Sequence, residues 1–352
     1  MDSLHQVLGL DHGAPALSFG ERTYTYGDLV DAVDAVRAAL VAAGVTAGAP
    51  VATILPNTPA GLVSMLAVLL ERACIVTISP RRVADELAKA PATVATLGPA
   101  SELGAAPVAG ALDLAVVAGA PDVASRPGTA VLMATSGTTG EPKRIPITYG
   151  TIDGVVGNVR GLAGGDGTIS LRDDTTLICF PYTNLSGVLP QLLGLVSGRR
   201  TALLERFDPV RVAALVAEHR MTSLALNPTA MQMLMDADID PGLLATVRYV
   251  RSGSAPLRPA LAAAFEARFG VGVLQSYGQT EVGGEVVGWS AADHRAHGVD
   301  KRGSVGRPHP GLELQVVARG SSPGEPLPAG EVGDLWLRGA RNVEGWHRTG
   351  DL

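Results

Sequence analysis

Apolar residues near the start of the chain recur with helical spacing and are followed by short apolar runs. In residues 26–43, YGDLVDAVDAVRAALVAA, apolar side chains fall every three or four positions, and Gly44 follows directly. This spacing predicts an amphipathic helix that ends at a glycine. The next run, PVATILP, is typical of a buried strand. A predicted helix over 60–72 and the strand CIVTI repeat the alternation.

The same alternation continues as far as about residue 290. The predicted strands are TAVLMAT, TTLICFP, SLALN and TVRYVRS, and the predicted helices are DPVRVAALVAEHR and PALAAAFEARFG. Strands that alternate with helices form mostly parallel sheets covered by helices on both faces. The pattern therefore predicts an α/β protein.

The pattern of apolar and polar residues changes after about residue 300. Short alternating runs are separated by Gly and Pro in SVGRPHPGLELQVVARGSSPGEPLPAGEVGDLWLRGA, and no helical pattern is visible there. Such a pattern is typical of a small antiparallel or barrel-like unit.

Composition narrows the class of protein. A chain of 352 residues exceeds what one hydrophobic core normally fills, so two or three packed units are expected. A net charge of −6 disfavours a nucleic-acid partner, which requires clustered Lys and Arg. Cys74 and Cys179 lie in apolar contexts without CxxC spacing, which indicates two buried thiols and a cytoplasmic protein. The longest apolar stretch, 61–70, is too short to span a membrane.

The most informative segment is TSGTTGEPKRI, residues 135–145, directly after a predicted strand. Four hydroxyl side chains, two glycines that let backbone N–H groups approach an anion, and a lysine together suit a polyphosphate. The segment is not a Walker A loop, because Gly137 and Gly140 are three apart and Arg follows Lys143. From composition alone it would be a flexible loop.

The complete string resembles the signature TSGTTGxPK of the adenylate-forming superfamily, which includes acyl-CoA synthetases, luciferases and the adenylation domains of peptide synthetases. Seven further blocks occur in the order of that family: TYTYGDL, SPRR, FPYTNLSG, SGSAPL, YGQTE, GDLWLRG and GWHRTGD. The resemblance runs from about residue 15 to the last residue and is strongest to acyl- and aryl-CoA synthetases.

The resemblance implies a fold. It predicts two parallel-rich sheets sandwiched by helices, with a small distorted C-terminal β-barrel. Residues 1–352 would form one N-terminal adenylation domain with three subdomains, 15–59 together with 180–290, 60–179, and 300–352. Because family members continue beyond GWHRTGDL into a lid domain that carries the main catalytic lysine, that domain is expected to be absent from this chain. Adenylation by the chain is then expected to be weak or undetectable.

The resemblance also implies a reaction. A carboxylate attacks the α-phosphate of ATP to give an acyl-adenylate and pyrophosphate, and a CoA thiol then takes the acyl group, with Mg²⁺ assisting. Two alternatives stay open. One is a stand-alone acyl-AMP ligase that loads a carrier protein, and the other is a non-catalytic homologue that only binds nucleotide or acyl-adenylate.

The family motifs assign the nucleotide site residue by residue. The β- and γ-phosphates would be bound by Thr135, Ser136, Gly137, Thr138, Thr139, Gly140 and Lys143. The adenine side would be formed by Ser254, Ala255, Pro256, Gln275, Ser276, Tyr277 and Gly278. Thr280 would bind the α-phosphate and act with Lys143 in catalysis, Glu281 would ligate Mg²⁺, and Asp351 would accept both ribose hydroxyls.

The acid pocket departs from the commonest family pattern. It would be lined by Asn184, Ser186, Arg251, Gly278 and Gly284. Asn184 stands where a histidine is common, which favours a cyclic or aromatic acid, and the glycines leave room for a bulky one. No counterpart of the aspartate that binds an amino group is visible, so an amino-acid substrate is not expected. Arg251 either contacts a second polar or anionic group of the acid or points to solvent.

Two further features fall outside the motifs. Arg72 and Thr77 stand where the family usually has Gly and Pro, which concerns only local loop geometry. His294 and His297, in the polar segment DHRAH, lack partners at metal-ligand spacing and are expected to contact solvent in a loop.

Overall fold

The protein is described by a computed structural model that covers residues 1–135, 143–162, 169–340 and 342–352, with the backbone alone at 135 and 158–162. The chain divides into two compact units, Met1–Phe207 and Asp208–Leu352.

The first unit contains seven helices and ten strands within the described residues. The helices are α1 Asp2–Leu8, α2 Tyr26–Ala42, α3 Pro59–Leu70, α4 Val83–Lys89, α5 Ala100–Leu103, α6 Tyr149–Leu162 and α7 Leu185–Val196. The strands are β1 Pro15–Phe19, β2 Arg22–Thr25, β3 Pro50–Ile54, β4 Cys74–Ile78, β5 Ala95–Pro99, β6 Leu114–Ala118, β7 Thr129–Thr135, β8 Lys143–Thr148, β9 Thr175–Ile178 and β10 Arg200–Leu203.

The second unit contains four helices, two 3-10 turns and eight strands within its described part. The helices are α8 Pro209–Glu218, α9 Pro228–Asp236, α10 Pro259–Phe269 and α11 Ala291–His297, and the turns are Pro241–Leu244 and Thr280–Val282. The strands are β11 Ser223–Ala225, β12 Tyr249–Ser252, β13 Gly272–Gln279, β14 Gly284–Gly288, β15 Arg307–Pro308, β16 Glu313–Val317, β17 Asp334–Arg338 and β18 His347–Arg348.

The first unit has two mixed sheets. A six-stranded sheet has the order β6-β5-β3-β4-β7-β8, with parallel pairing in the centre and antiparallel pairing at both edges. A four-stranded sheet has the order β2-β1-β10-β9, in which only β2 is antiparallel. The central strands β3 and β4 are buried at every position, because helices cover both faces of a sheet with parallel strands.

Helix α3 is the centre of the first core. Every residue from 61 to 70 is buried, so the segment that is too short to span a membrane is instead a core helix. Its start is fixed by Thr58, whose hydroxyl accepts the N–H of Gly61, and by Pro59 at the first helical position. Helix α2 packs beside it and begins at a capping box between Thr25 and Asp28.

Arg72, where the family usually has Gly, adopts a left-handed backbone with φ of 56°. A residue with a Cβ is strained in that region, which is the physical reason for a glycine there. The guanidinium of Arg72 lies 4.1 Å from the centre of the Tyr149 ring, a cation–π contact that offsets part of the strain.

The second unit has a five-stranded sheet of order β11-β12-β13-β14-β15 and a three-stranded antiparallel sheet of order β16-β17-β18. Strands β11, β12 and β13 are parallel, whereas β13, β14 and β15 are antiparallel. The predicted absence of helices after residue 300 agrees with the described residues of that region.

The predicted α/β class is confirmed, and the described part contains three mixed sheets and one antiparallel sheet. The subdomain boundaries stay a prediction. Cys74 and Cys179 are buried free thiols, as expected, and burial raises the pKa of each, to about 11 for Cys74 and about 12 for Cys179. Among the described helices none has the length and hydropathy needed to cross a bilayer.

Candidate functional site

The two ends of the predicted phosphate loop are neighbours in the first unit. Thr135 ends β7 and Lys143 begins β8, and the two residues are antiparallel partners across the strand pair. Lys143 is exposed. Ser136, Gly137, Thr138, Thr139 and Gly140 lie outside the described residues.

Thr77, on β4, forms hydrogen bonds to both strands of this pair. Its hydroxyl donates to the carbonyl of Leu132 at 3.2 Å and accepts the N–H of Ala134 at 3.3 Å. Its own carbonyl accepts Nη1 of Arg144, the residue after Lys143, at 3.0 Å. The residue that replaces the usual proline therefore uses its hydroxyl to hold the strand leading into the predicted loop.

Tyr277 and Asp351 meet in the second unit although they are 74 residues apart. The Tyr277 hydroxyl donates to Oδ2 of Asp351 at 2.6 Å, and Nε2 of Gln279 donates to the same oxygen at 2.8 Å. Burial, together with the hydrogen bond to Asp351, raises the pKa of Tyr277 far above its usual value. The hydroxyl therefore stays protonated and acts as a hydrogen-bond donor throughout the physiological pH range.

The segment that carries Asp351 is attached to strand β17. The N–H of Leu335 donates to the carbonyl of Asp351 at 3.1 Å, and the hydroxyl of Thr349 donates to the carbonyl of Leu335 at 2.9 Å. Gln279 adds a bond from Nε2 to the carbonyl of Thr349 at 3.0 Å. Asp351 is exposed, and its carboxylate is oriented by the two hydrogen bonds to Oδ2 and by the anchored backbone.

Thr280 and Glu281 lie on the 3-10 turn that directly follows β13. Nδ2 of Asn342 donates to the carbonyl of Glu281 at 3.1 Å and so fixes the turn. Gly283 and Gly284 follow with φ of 82° and 111°, which lets the chain reverse into β14. A Cβ added at Gly278 would lie 2.0 Å from the carbonyl oxygen of Gly284. The close approach of these two strands explains the glycine at 278.

The predicted adenine wall follows β12. Ser254, Ala255 and Pro256 are all exposed, and Ser254 has φ of 67°, an uncommon conformation for a residue with a side chain. Oγ of Ser276 donates to the carbonyl of Ser252 at 3.5 Å. The strand that carries Tyr277 is thereby linked to the strand that leads into this loop.

Gln275 lies on a small cavity with Glu266, Trp289 and His294. His294 is in helix α11 and half-buried, with Nε2 2.9 Å from Oε1 of Glu266. The prediction of a solvated loop histidine is therefore wrong for His294, because the helical period turns its ring toward Glu266. His297 is exposed, as expected, but is helical.

Glu266 is the anionic centre beside that cavity. Burial alone would raise its pKa, but hydrogen bonds from the N–H of Val273, from Arg302 and from His294 lower it below the usual value. No group of three or more metal-ligating side chains occurs in the described part of the chain.

The predicted acid-pocket residues divide between the two units. Asn184 is exposed and precedes α7, without a side-chain cap bond to that helix, and Ser186 is half-buried in its first turn. The segment is anchored by Asn57, whose Nδ2 donates to the carbonyl of Phe180 at 2.7 Å and whose Oδ1 accepts the N–H of Tyr182 at 3.0 Å.

The guanidinium of Arg251, in the second unit, is hydrogen-bonded to other residues of that unit. Its Nη1 lies 2.7 Å from Oε1 of Glu285, and its Nη2 donates to the carbonyl of Trp289 at 3.2 Å. Gln279, Glu285 and Asn342 were not singled out by sequence reasoning. Gln279 falls inside the block YGQTE, which was a signal, whereas the other two carry none.

The fold and the strands that bear the motifs define an α/β protein of the adenylate-forming type. The chain matches the family described as AMP-binding enzyme over residues 5–94 and 91–347. It therefore belongs to the AMP-binding enzyme family.

Curated relatives are CoA ligases. The chain is 30% identical to 4-coumarate–CoA ligase 5 of Oryza sativa subsp. japonica over 94% of this chain and 68% of that protein. It is 32% identical to sulfoacetate–CoA ligase of Cupriavidus necator over 63% of this chain and 41% of that protein. The chain thus spans between 41% and 68% of the length of these relatives.

A solved structure supports the fold. The o-succinylbenzoate CoA synthetase of Bacillus subtilis, as a double mutant bound to a product analogue, superimposes with a TM-score of 0.76 and 23% identity over 99% of this chain and 74% of that one. The same enzyme has also been solved with ATP and a magnesium ion, with a TM-score of 0.72 and 21% identity over 98% of this chain and 72% of that one.

Proposed function

We propose that the chain is the nucleotide- and acid-binding part of an AMP-forming acid–thiol ligase. It would activate a carboxylic acid with ATP to an acyl-adenylate, and CoA would then accept the acyl group. The observation that carries the proposal is the contact of Tyr277 with Asp351 at 2.6 Å, because two motifs expected to hold the adenine and the ribose meet in space. The CoA ligase names of the relatives support the same class of reaction.

The proposed reaction makes one bond and breaks one bond in each step. A carboxylate oxygen of the acid bonds to the α-phosphorus of ATP, and the bond from that phosphorus to the bridging oxygen breaks, so pyrophosphate leaves with the electron pair. In the second step the sulfur of CoA bonds to the acyl carbon and its proton is lost to solvent, while the bond from that carbon to the phosphate oxygen breaks and AMP leaves with the electron pair. Both steps depend on positioning and on stabilisation of phosphate charge.

The residues would divide this work by their chemistry. The hydroxyl of Thr280 would donate to the α-phosphate, where negative charge develops, and Lys143 would offset the charge of the departing pyrophosphate. The carboxylate of Asp351 would accept the ribose hydroxyls, while the Tyr277 ring would cover one face of the adenine.

Magnesium would be held by Glu281 together with phosphate oxygens of the nucleotide. A single carboxylate suits this mode, because Mg²⁺ is usually bound by one or two carboxylates, water and substrate phosphates. When bound, the ion would neutralise phosphate charge.

The acid is proposed to be a cyclic or aromatic carboxylic acid. The names of the rice relative and of the Bacillus subtilis enzyme refer to such acids. A carrier-protein thiol is the alternative acceptor, and a homologue that only binds an adenylate is the alternative outside catalysis.

Pyrophosphate exchange into ATP tests the proposal. The chain, and the gene product that contains it, are assayed with a panel of aromatic, cyclic and aliphatic acids. Exchange that depends on one class of acid and is lost in Thr280→Ala supports a ligase. Tyr249→Phe is the matched control, because the hydroxyl of Tyr249 contacts Arg295 and none of the proposed nucleotide residues.

The remaining outcomes separate the alternatives. Thioester formation with CoA but not with a phosphopantetheinyl carrier supports the CoA ligase, and the reverse supports the carrier-loading enzyme. Binding of an acyl-adenylate analogue by a gene product that shows no exchange with any acid would refute the ligase and leave the binding homologue.

A further inference from the structure

In the second unit two side chains meet on one carboxylate oxygen of a third. Oε1 of Glu285 lies 2.7 Å from Nη1 of Arg251 and 3.0 Å from Nε2 of His309. Arg251 comes from β12, Glu285 from β14, and His309 directly follows β15. Residues on two strands of one sheet and directly after a third therefore form a single polar group, named here the Glu285 cluster.

The Glu285 cluster adjoins the proposed nucleotide residues. Glu285 is the strand partner of Gly278, which directly follows Tyr277. Arg251 precedes Ser252, whose carbonyl accepts the hydroxyl of Ser276. The turn that carries Thr280 joins β13 to β14, the strand that carries Glu285, so the cluster lies on the strand pair beside which the acid would be joined to the α-phosphate.

The Glu285 cluster is held in place by its surroundings and is accessible to a ligand. A Cβ added at Gly288 would lie 2.6 Å from Oε1 of Glu285 and 3.0 Å from Nη1 of Arg251, so glycine leaves the space that the pair occupies. The N–H of His309 donates to the carbonyl of Val286 at 3.0 Å, which sets the position of the ring. The side chains of Arg251, Glu285 and His309 are 40%, 30% and 43% exposed, so a ligand can reach them.

The charges of the cluster decide what it can bind. Both terminal nitrogens of Arg251 are engaged, one by Glu285 and one by the carbonyl of Trp289. Glu285 neutralises the guanidinium, so a second carboxylate on the acid would meet no unopposed cation and would be repelled by Glu285. Among the described residues none donates to Oε2 of Glu285, which therefore offers lone pairs to a hydroxyl.

We infer that Glu285 determines specificity by accepting a hydroxyl group on the tail of the acid and by keeping Arg251 from binding a second carboxylate. The substrate class is then hydroxylated monocarboxylic acids. This inference rests on the proposed function, because it concerns the acid that the adenylate site would receive. His309 and Arg251 are positioning residues for the Glu285 carboxylate.

The test compares acyl-sulfamoyl adenosine analogues that differ at one position. One set derives from cinnamic acid with a hydrogen, hydroxyl or carboxylate in the para position, and the second from octanoic acid, 8-hydroxyoctanoic acid and octanedioic acid. Dissociation constants are measured by calorimetry for the wild type and Glu285→Gln. Ratios are taken within each variant, so a general change in adenylate binding cancels.

The wild type is expected to bind the hydroxyl analogue of at least one set about tenfold more tightly than either companion, as a hydrogen bond to a charged acceptor allows. In Glu285→Gln this preference is expected to fall several-fold, while the carboxylate analogue gains about tenfold relative to the unsubstituted one. In the double variant Glu285→Gln with Arg251→Met the carboxylate gain is expected to disappear, because its source is the guanidinium that no longer faces an opposing charge.

Glu313→Gln is the matched control. It removes an Arg–Glu pair of the same length, 2.7 Å to Arg338, in the same unit, and is expected to leave all ratios unchanged. Ratios in Glu285→Gln that stay within threefold of wild type for both sets, with adenylate binding retained, would overturn this inference alone. A wild-type protein that binds neither AMP nor any analogue would overturn the proposed function, and this inference with it.

Discussion

Tyr277→Phe is the sharpest test of the proposed nucleotide site, because it removes one atom. The ring that would stack on adenine stays, whereas the hydroxyl that donates to Oδ2 of Asp351 at 2.6 Å is lost. Gln279 still donates to that oxygen at 2.8 Å, so the carboxylate keeps one of two donors. The variant therefore isolates the orientation of Asp351.

The magnitude follows from the geometry. A hydrogen bond to a charged group contributes about 1.5 to 3 kcal/mol, and immobilising a free side chain on binding costs about 0.5 to 1.5 kcal/mol. Because Asp351 is exposed and Gln279 partly compensates, the expected loss is about 1 kcal/mol, or roughly fivefold in the dissociation constant of AMP. Gln279→Ala also releases Thr349, so its expected loss is larger, about tenfold.

Calorimetric titration with AMP and with an acyl-adenylate analogue measures both effects. Tyr249→Phe removes a tyrosine hydroxyl that contacts Arg295, and it is expected to bind like the wild type. The reasoning fails if Tyr277→Phe binds AMP as tightly as the control. It also fails if Tyr277→Phe and Gln279→Ala add without coupling, since both donate to one oxygen.

Three other predictions concern stability. Asn57→Ala leaves the carbonyl of Phe180 and the N–H of Tyr182 without their partner, so urea titration should show a loss of about 2 to 4 kcal/mol in the free energy of unfolding; a loss under 1 kcal/mol would contradict the buried network. Gly278→Ala places a methyl group 2.0 Å from a backbone oxygen and should cost more than about 2 kcal/mol by the same measurement; a smaller loss would contradict the close approach of the two strands. Burial raises the pKa of Tyr26 to about 12, and it raises that of Tyr182 further. Both values lie above the unfolded value near 10, so each neutral tyrosine contributes its full share to the free energy of unfolding below pH 10. That contribution is lost as pH rises through the folded pKa. Unfolding free energies that stay constant between pH 9 and 11.5 would contradict this.

Elements with an uninterrupted hydrophobic period were predictable. Helix α2 was expected at 26–43 and occupies Tyr26–Ala42, because its period, its capping box and the following glycine agree. The strands CIVTI and TAVLMAT coincide with β4 and β7. In these segments local preference and burial indicate the same structure, so the pattern alone suffices.

Two helices show why other elements were missed. Helix α7 contains Pro190 and two glycines, which hide a helical period that tertiary burial enforces. Asn227 was assigned to the end of the strand SLALN, but its side chain accepts the N–H of Ala230 and caps helix α9. The residue types of a cap and of a strand end overlap, and only the hydrogen bond distinguishes them.

The proposed nucleotide residues and the acid wall differ in what a sequence can reveal. Tyr277, Thr280 and Asp351 are recognisable because each stands in a short sequence motif of the family, YGQTE or GWHRTGD. Arg251 stayed ambiguous between pocket and solvent, because the answer depends on the register between β13 and β14. A bulge between Tyr277 and Gly278 shifts that register by one residue and pairs Gly278 with Glu285. Since a slip of one residue moves a side chain to the other face of a strand, no single-strand pattern predicts that Arg251 binds Glu285.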